Sequence, residues 1–186
     1  MIGLILAGGQ SRRFGTDKAL YTIPGQDHSN VQLAVEKLAP FCSTIIVCAN
    51  AHNQAQITTE LTKYQQATVI CDQPPYLDHG PLSGIYAASQ QFPGKQEYLM
   101  VAVDYPYLTN ATIRALARHP HRVIATNKHT HYTLAHFSIS DQQVAAWLAS
   151  GKWRLGEFVI DQCHCQPLIF NNAHEFTNLN YSKEQQ

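Results

Sequence analysis

The feature that most constrains the fold is the alternation of short, continuously apolar runs with amphipathic stretches. The β-branched run 44–49 and the run 98–103 are typical of strands buried on both faces. Between such runs, apolar residues recur at helical spacing, as in 31–38. We therefore predict one three-layer α/β domain, residues 1–186, with a Rossmann-like, mostly parallel sheet and helices on both faces. The predicted strands are 2–6, 44–49, 68–71, 98–103, 122–126 and 132–138, and the predicted helices lie near 31–38, 53–63, 80–92, 109–117 and 141–150.

The first apolar run, 2–6, stops at Gly8 and Gly9. Glycines at a strand end leave backbone N–H groups uncovered, and Arg13 and Lys18 follow as cationic donors. This combination suits a nucleoside triphosphate, although the segment is neither a Gly-Lys-Ser/Thr loop nor a GxGxxG fingerprint. The alternative is a glycine turn with a solvated basic face.

Composition excludes several classes of function. The 13 Lys and Arg balance the 13 Asp and Glu, so no net field recruits nucleic acid or an anionic membrane. The apolar runs are about half a membrane span and no basic segment precedes the first one, so we predict a soluble, cytoplasmic protein. The odd number of cysteines, five, disfavours a disulfide framework. Cys163 and Cys165 are too close to share a tetrahedral ion readily, and the ten histidines are better explained as scattered surface residues.

Three polar residues follow predicted strands directly. In an open α/β sheet the ligand crevice lies beyond the carboxyl ends of the strands, so Asn50, Asp72 and Asp104 should join the glycine segment there. Asn50 and Asp72 could instead simply cap or turn the chain. Asp104 emerges from six apolar residues, and a carboxylate held in that position is usually paired or bound to a cation.

Four segments, in order, carry a resemblance to a known family. They are Leu-Ala-Gly-Gly-x-Ser-x-Arg-Phe-Gly-x-Asp-Lys-x-Leu at 6–20, Asp72 with Gly-Pro-Leu-Ser-Gly at 80–84, Asp-Tyr-Pro-Tyr at 104–107, and Phe-Thr-Asn-Leu-Asn at 176–180. Together they resemble the molybdenum cofactor guanylyltransferases, the MobA-like branch of the nucleotidyltransferases. The resemblance covers nearly the whole chain and implies the nucleotide-diphospho-sugar transferase type of fold.

The resemblance also implies roles for individual residues. A nucleotide half, about 1–108, would bind GTP, and an acceptor half, about 109–186, would bind molybdopterin. Mg²⁺ would be held by Asp104, and Arg13, Lys18 and Asp104 would be catalytic. The implied nucleotide-binding residues are Leu6, Ala7, Gly8, Gly9, Lys18, Asn50, Asp72, Gly80, Pro81, Leu82, Gly84 and Asp104, and the implied molybdopterin-binding residues are Arg154, Asn178 and Asn180.

The implied reaction is transfer of GMP from GTP to the terminal phosphate of molybdopterin, with release of pyrophosphate. Its implied partners are GTP, molybdopterin, molybdenum-insertion proteins and the enzymes or chaperones that receive the cofactor. Two segments depart from the family pattern: His131-Tyr132-Thr133 stands for His-Pro-Thr, and Trp153-Arg154 stands for Arg-Arg. The alternatives are therefore a related transferase that uses CTP or a sugar phosphate, and a nucleotide- and molybdopterin-binding carrier with weakened catalysis.

Overall fold

The computed structural model describes residues 1–9 and 17–179 of the chain. The predicted alternation of strands and helices is present, with element bounds within a few residues of those expected. The strands are β1 Ile2–Leu6, β2 Thr44–Ala49, β3 Ala67–Cys71, β4 Lys95–Ala102, β5 Arg122–Ala125, β6 Thr130–Ser140 and β7 Gln166–Ile169, and the helices are α1 Asn30–Leu38, α2 Gln54–Glu60, α3 Pro81–Gln91, α4 Asn110–Arg118, α5 Asp141–Ala149 and α6 Leu155–Glu157.

The sheet has the order β3-β2-β1-β4-β6-β5-β7. β1 lies in parallel register between β2 and β4, and β3 extends the parallel part at one edge. β6 runs antiparallel to both β4 and β5, and β7 is parallel to β5. The prediction of a mostly parallel sheet is confirmed, with a single reversed strand, β6, between β4 and β5.

Side chains on the two faces of the sheet enter two separate apolar clusters. Along β1, Leu4 packs with α3 and α5 on one face, whereas Ile5 packs with α1, α2 and α4 on the other. Both side chains are fully buried, because successive residues of a strand point to opposite faces. The predicted three-layer arrangement is therefore confirmed.

Local signals define where the helices start and end. Thr109 accepts a hydrogen bond from the Thr112 N–H at 3.2 Å and so caps α4, as predicted. Ser140 caps α5 in the same way. α5 ends just before Gly151, whose φ of +77° lies in the left-handed region that glycine tolerates.

The segment after Gly151 contains elements that the sequence did not predict. They are α6, a π-helical turn over Phe158–Gln162, strand β7 and a 3₁₀ turn over Ala173–Phe176. β7 has four residues, begins with Gln-Pro and does not alternate between apolar and polar residues. It forms a strand only because β5 offers it an unpaired edge. Of the helices in the described part of the chain, none is both long and apolar enough to span a bilayer.

Candidate active site

A cleft of about 530 Å³ opens at the carboxyl ends of the parallel strands. It lies where β1 has β2 on one side and β4 on the other, with the β1-α1-β2 connection on one face of the sheet and the β3-α3-β4 connection on the opposite face. The loops after β1, β2, β3 and β4 all contribute to its wall. Of the predicted nucleotide-binding residues, Leu6, Ala7, Gly8, Gly9, Lys18, Asn50, Asp72, Gly80, Pro81, Gly84 and Asp104 line the cleft.

Lys18 and Asp104 face each other in this cleft. The Lys18 Nζ lies 3.7 Å from Asp104 Oδ2, and the two side chains are 17% and 24% exposed. Partial burial weakens solvent screening, so the pair has a stronger field than an ion pair on the open surface. The structure thus brings together two of the three residues predicted to be catalytic. The third, Arg13, lies outside the described residues.

Asn50 connects the ends of β1 and β2. Its amide Nδ2 donates to the Gly8 carbonyl at 3.1 Å, and its Oδ1 accepts from the backbone N–H groups of His52 and Asn53. The side chain therefore shapes the turn and fixes the glycine segment at the same time. The predicted alternatives for Asn50, a turn residue and a site residue, are both compatible with this position.

The other end of the cleft is formed by the start of α3. Gly80 precedes this eleven-residue helix with φ +67° and ψ −144°, a region that essentially only glycine occupies. Gly80 and Pro81 line the cleft, so the positive end of the helix dipole is next to it. Asp72 accepts a hydrogen bond from the Asp78 N–H at 3.2 Å, and burial raises the pKa of the Asp72 carboxyl above its usual value.

Close packing explains one glycine of the predicted set. A Cβ added to Gly84 would lie 2.8 Å from the Cys48 Cβ, so α3 approaches β2 as near as it does only because Gly84 has no side chain. Leu82 is different from its neighbours, because its side chain is fully buried in the core and does not line the cleft.

The C-terminal segment reaches the Asp104 side of the cleft. The Leu179 N–H donates to the Asp104 carbonyl at 3.1 Å, and the Tyr105 hydroxyl hydrogen-bonds with His131 Nδ1 at 3.3 Å. Burial raises the pKa of Tyr105, and the polar side chains of Asn178 and Thr133 near its hydroxyl oppose the shift. Asn178 is therefore next to the predicted metal-binding turn.

Of the other predicted molybdopterin residues, Arg154 is not brought to this place. The Arg154 side chain is 84% exposed, pairs with Glu157 at 3.4 Å and does not line the cleft. Asn180 lies outside the described residues. Trp153, the residue before Arg154, stacks on His79, with ring centroids 3.9 Å apart.

The chain is similar to known proteins in sequence and in fold. The sequence model of the MobA-like NTP transferase domain matches residues 3–176. The chain belongs to this family. A nucleotidyl transferase from Methanothermobacter aligns with TM-score 0.73 at 15% identity, covering 97% of this chain and 91% of its own. A protein from Aquifex aeolicus aligns with TM-score 0.67 at 19% identity, covering 95% and 91%. The 4-diphosphocytidyl-2C-methyl-D-erythritol synthase of Anaerococcus prevotii aligns with TM-score 0.63 at 9% identity, covering 99% and 91%.

These similarities in fold confirm the nucleotide-diphospho-sugar transferase type of architecture. Membership of the MobA-like NTP transferase family makes the protein a nucleotidyltransferase. The sequence identities to the solved structures are too low to indicate the substrate of this chain.

In this MobA-like NTP transferase, Asp104, the predicted Mg²⁺ ligand, has properties that suit such a role. Its carboxylate is an oxygen ligand, lies in the cleft and is three-quarters buried. Within residues 1–9 and 17–179, no three His, Cys, Asp or Glu side chains form a cluster that could hold a metal ion. A cation at Asp104 would thus take its other ligands from phosphate oxygens and water, as Mg²⁺ commonly does.

All five cysteines are free thiols, and burial raises the pKa of Cys165 to about 12.

Several cleft residues were missed by sequence reasoning. Asp17, Asp78 and Thr133 line the cleft, and the buried Asn53 holds the turn below it. Asp17 was part of the recognised pattern but carried no assigned role. Asn53 stands three residues after Asn50 in a polar stretch, and nothing in the sequence distinguishes it from an exposed asparagine.

Proposed function

We propose that the protein is a molybdenum cofactor guanylyltransferase. It transfers GMP from GTP to the terminal phosphate of molybdopterin and releases pyrophosphate. The observation that carries this proposal is the Lys18–Asp104 pair, 3.7 Å apart in a cleft lined by eleven of the twelve predicted nucleotide-binding residues.

The reaction needs electrostatic help more than a strong base. A phosphate oxygen of molybdopterin attacks the α-phosphorus of GTP, a new P–O bond forms, and the bond to the bridging α–β oxygen breaks. The nucleophile is already an anion at neutral pH, so the chain must bring two anions together and stabilise charge on the leaving pyrophosphate. Mg²⁺ bound to Asp104 would supply charge neutralisation when present.

The residues of the chain divide this work between the two ends of the cleft. Lys18 would neutralise the triphosphate as a point charge with three donors. Asp72 would accept hydrogen bonds from the N1 and 2-amino groups of guanine, a donor pair that adenine lacks. Asn178, beside Tyr105 and the Asp104 turn, would contact the acceptor, so the two substrates would meet at Asp104.

A pyrophosphate-release assay tests the proposal. Purified protein is incubated with Mg²⁺ and either GTP, CTP or ATP, each with molybdopterin, its molybdenum-loaded form or a sugar 1-phosphate. We expect release with GTP and molybdopterin, and a loss of about 10²–10³-fold in Asp104→Ala, by analogy with removal of one transition-state contact. Asp27→Asn, at an exposed site outside the cleft, is the matched control.

The other outcomes identify the alternatives. Faster release with CTP or with a sugar phosphate would replace the proposal by a related transferase. Tight binding of GTP and molybdopterin without pyrophosphate release would indicate a carrier.

A further inference from the structure

Two asparagines that do not line the cleft are buried beneath it. Asn30 is the first residue of α1 and Asn53 precedes α2, and each is 1% exposed. A buried amide is retained at a cost unless its polar atoms are hydrogen-bonded, so its partners indicate what it does. The partners of both asparagines converge on Lys18 and its neighbours.

Asn53 joins three parts of the chain. Its Nδ2 donates to the Ala7 carbonyl at 2.9 Å, at the end of β1, and to Asp17 Oδ2 at 2.8 Å. Its Oδ1 accepts from the Asn50 N–H at 2.9 Å, in the turn after β2. The Asp17 carboxylate is therefore held at a defined distance from both strand ends.

The second oxygen of Asp17 closes a turn around Lys18. Asp17 Oδ1 accepts from the Ala19 N–H at 2.8 Å, which is the hydrogen bond of an Asx turn. From the other side, Asn30 Nδ2 donates to the Lys18 carbonyl at 2.8 Å. Hydrogen bonds thus hold Lys18 and the residues on either side of it, Asp17 and Ala19, while the Lys18 side chain extends to Asp104.

We infer that Asn53 and Asn30 are positioning residues that fix Lys18 for the triphosphate. The inference rests on the proposed function, in which Lys18 contacts the phosphates. A lysine stem has many rotamers, so a mobile backbone would spread its ammonium group over a wide volume. With the backbone fixed, the ammonium group is restricted to the region facing Asp104, and less order has to be gained when the nucleotide binds.

A role in positioning Lys18 differs measurably from a role in stability alone. If Asn53 acts through Lys18, its removal should weaken binding of the phosphates but not of the base, and should have no further effect once Lys18 is absent. Removal of a purely structural asparagine would weaken binding of nucleoside and nucleotide alike, and this loss of affinity would persist in the absence of Lys18. Residues that act through one another show this non-additivity in a double-mutant cycle.

The experiment is calorimetric titration of GTP and of guanosine into the parent, Asn53→Ala, Lys18→Ala and the double variant. We expect Asn53→Ala to raise the Kd for GTP about tenfold, the size of a typical lost buried hydrogen bond. In the Lys18→Ala background the same substitution should change Kd by less than about twofold, within the usual limits of additivity. The Kd for guanosine should be the same in all four proteins.

Further variants guard against misfolding and test the hydrogen bond itself. Asn30→Leu removes the donor to the Lys18 carbonyl with little change of volume and without burying a charge, and it should give the same selective loss of GTP affinity. The exchange Asp17→Asn with Asn53→Asp restores the hydrogen bond between these two side chains with reversed polarity, and should recover part of the loss. Ser89→Ala, at a buried serine that bonds only within α3, is the control.

Each result has one meaning. Equal effects of Asn53→Ala in both backgrounds, or equal losses for guanosine and GTP, would overturn the positioning role. A lower affinity in Lys18→Ala with no change in Asn53→Ala and Asn30→Leu would overturn it while leaving the proposed function intact. A parent protein that binds no GTP, or a Lys18→Ala variant that binds it normally, would overturn the proposed role of Lys18 and the inference with it.

Discussion

The contact between α3 and β2 predicts the effect of Gly84→Ala. An added Cβ would lie 2.8 Å from the Cys48 Cβ and 3.1 Å from its Sγ. The Cβ of Cys48 belongs to a central strand and cannot rotate away, and the Sγ already donates to the Gly84 carbonyl at 3.3 Å. The helix must therefore shift away from the sheet by several tenths of an ångström.

Two opposing effects set the magnitude. Overpacking of a well-packed core costs about 1–3 kcal/mol, whereas alanine is favoured over glycine inside a helix by about 1 kcal/mol. We expect a net loss of about 1 kcal/mol in the free energy of unfolding, which corresponds to a fall in Tm of about 2–4 °C for a chain of this size. Urea denaturation followed by circular dichroism measures the first quantity, and calorimetry measures the second.

The controls separate the clash from the change of residue type. Gly9→Ala adds a Cβ with no atom of the described residues within 4 Å, so it should leave the stability unchanged or slightly higher. Cys48→Gly removes the obstructing atoms, and in that background Gly84→Ala should no longer be destabilising. A Gly84→Ala protein as stable as the parent, or an equal cost in both backgrounds, would refute the reasoning.

Three further outcomes follow from charge and position. Burial raises the pKa of Asp72 in the folded state, so above pH 3.8 the folded protein holds more protons than the unfolded chain and stability falls as pH rises. In urea titrations Asp72→Asn should therefore be more stable than the parent at pH 7, but not below pH 3.8. The same variant should discriminate GTP from ATP less well. Burial lowers the pKa of Lys37, which donates to the Pro106 carbonyl at 2.5 Å, from 10.5 to about 8, so its Cε resonance should titrate near pH 8. Between about pH 8 and 10.5 the unfolded chain holds the extra proton. The stability of the parent relative to Lys37→Met should therefore rise with pH in this range. Asn178→Ala should weaken molybdopterin binding and leave the Kd for GTP nearly unchanged in parallel titrations, and a large loss of GTP affinity would contradict this division of the cleft.

Much of the fold was predictable because its signals are local. The run 44–49 is apolar and β-branched throughout, and it forms β2 with the predicted bounds. Thr109 precedes a helical pattern and caps α4. β7 could not be predicted in the same way, since its four residues have little strand character and pair only because β5 leaves an edge open.

The same contrast applies to the site. The sequence by itself determined the glycine segment, the acids at the strand ends and the family, because parallel strands bring their carboxyl ends to one edge and the motif spacing is specific. Only the tertiary structure decided that Lys18 faces Asp104, that Leu82 is core and Arg154 is exposed, and that Asn53 is buried. These outcomes depend on contacts between residues far apart in the chain, and the residue types alone do not specify which side chains those contacts bury.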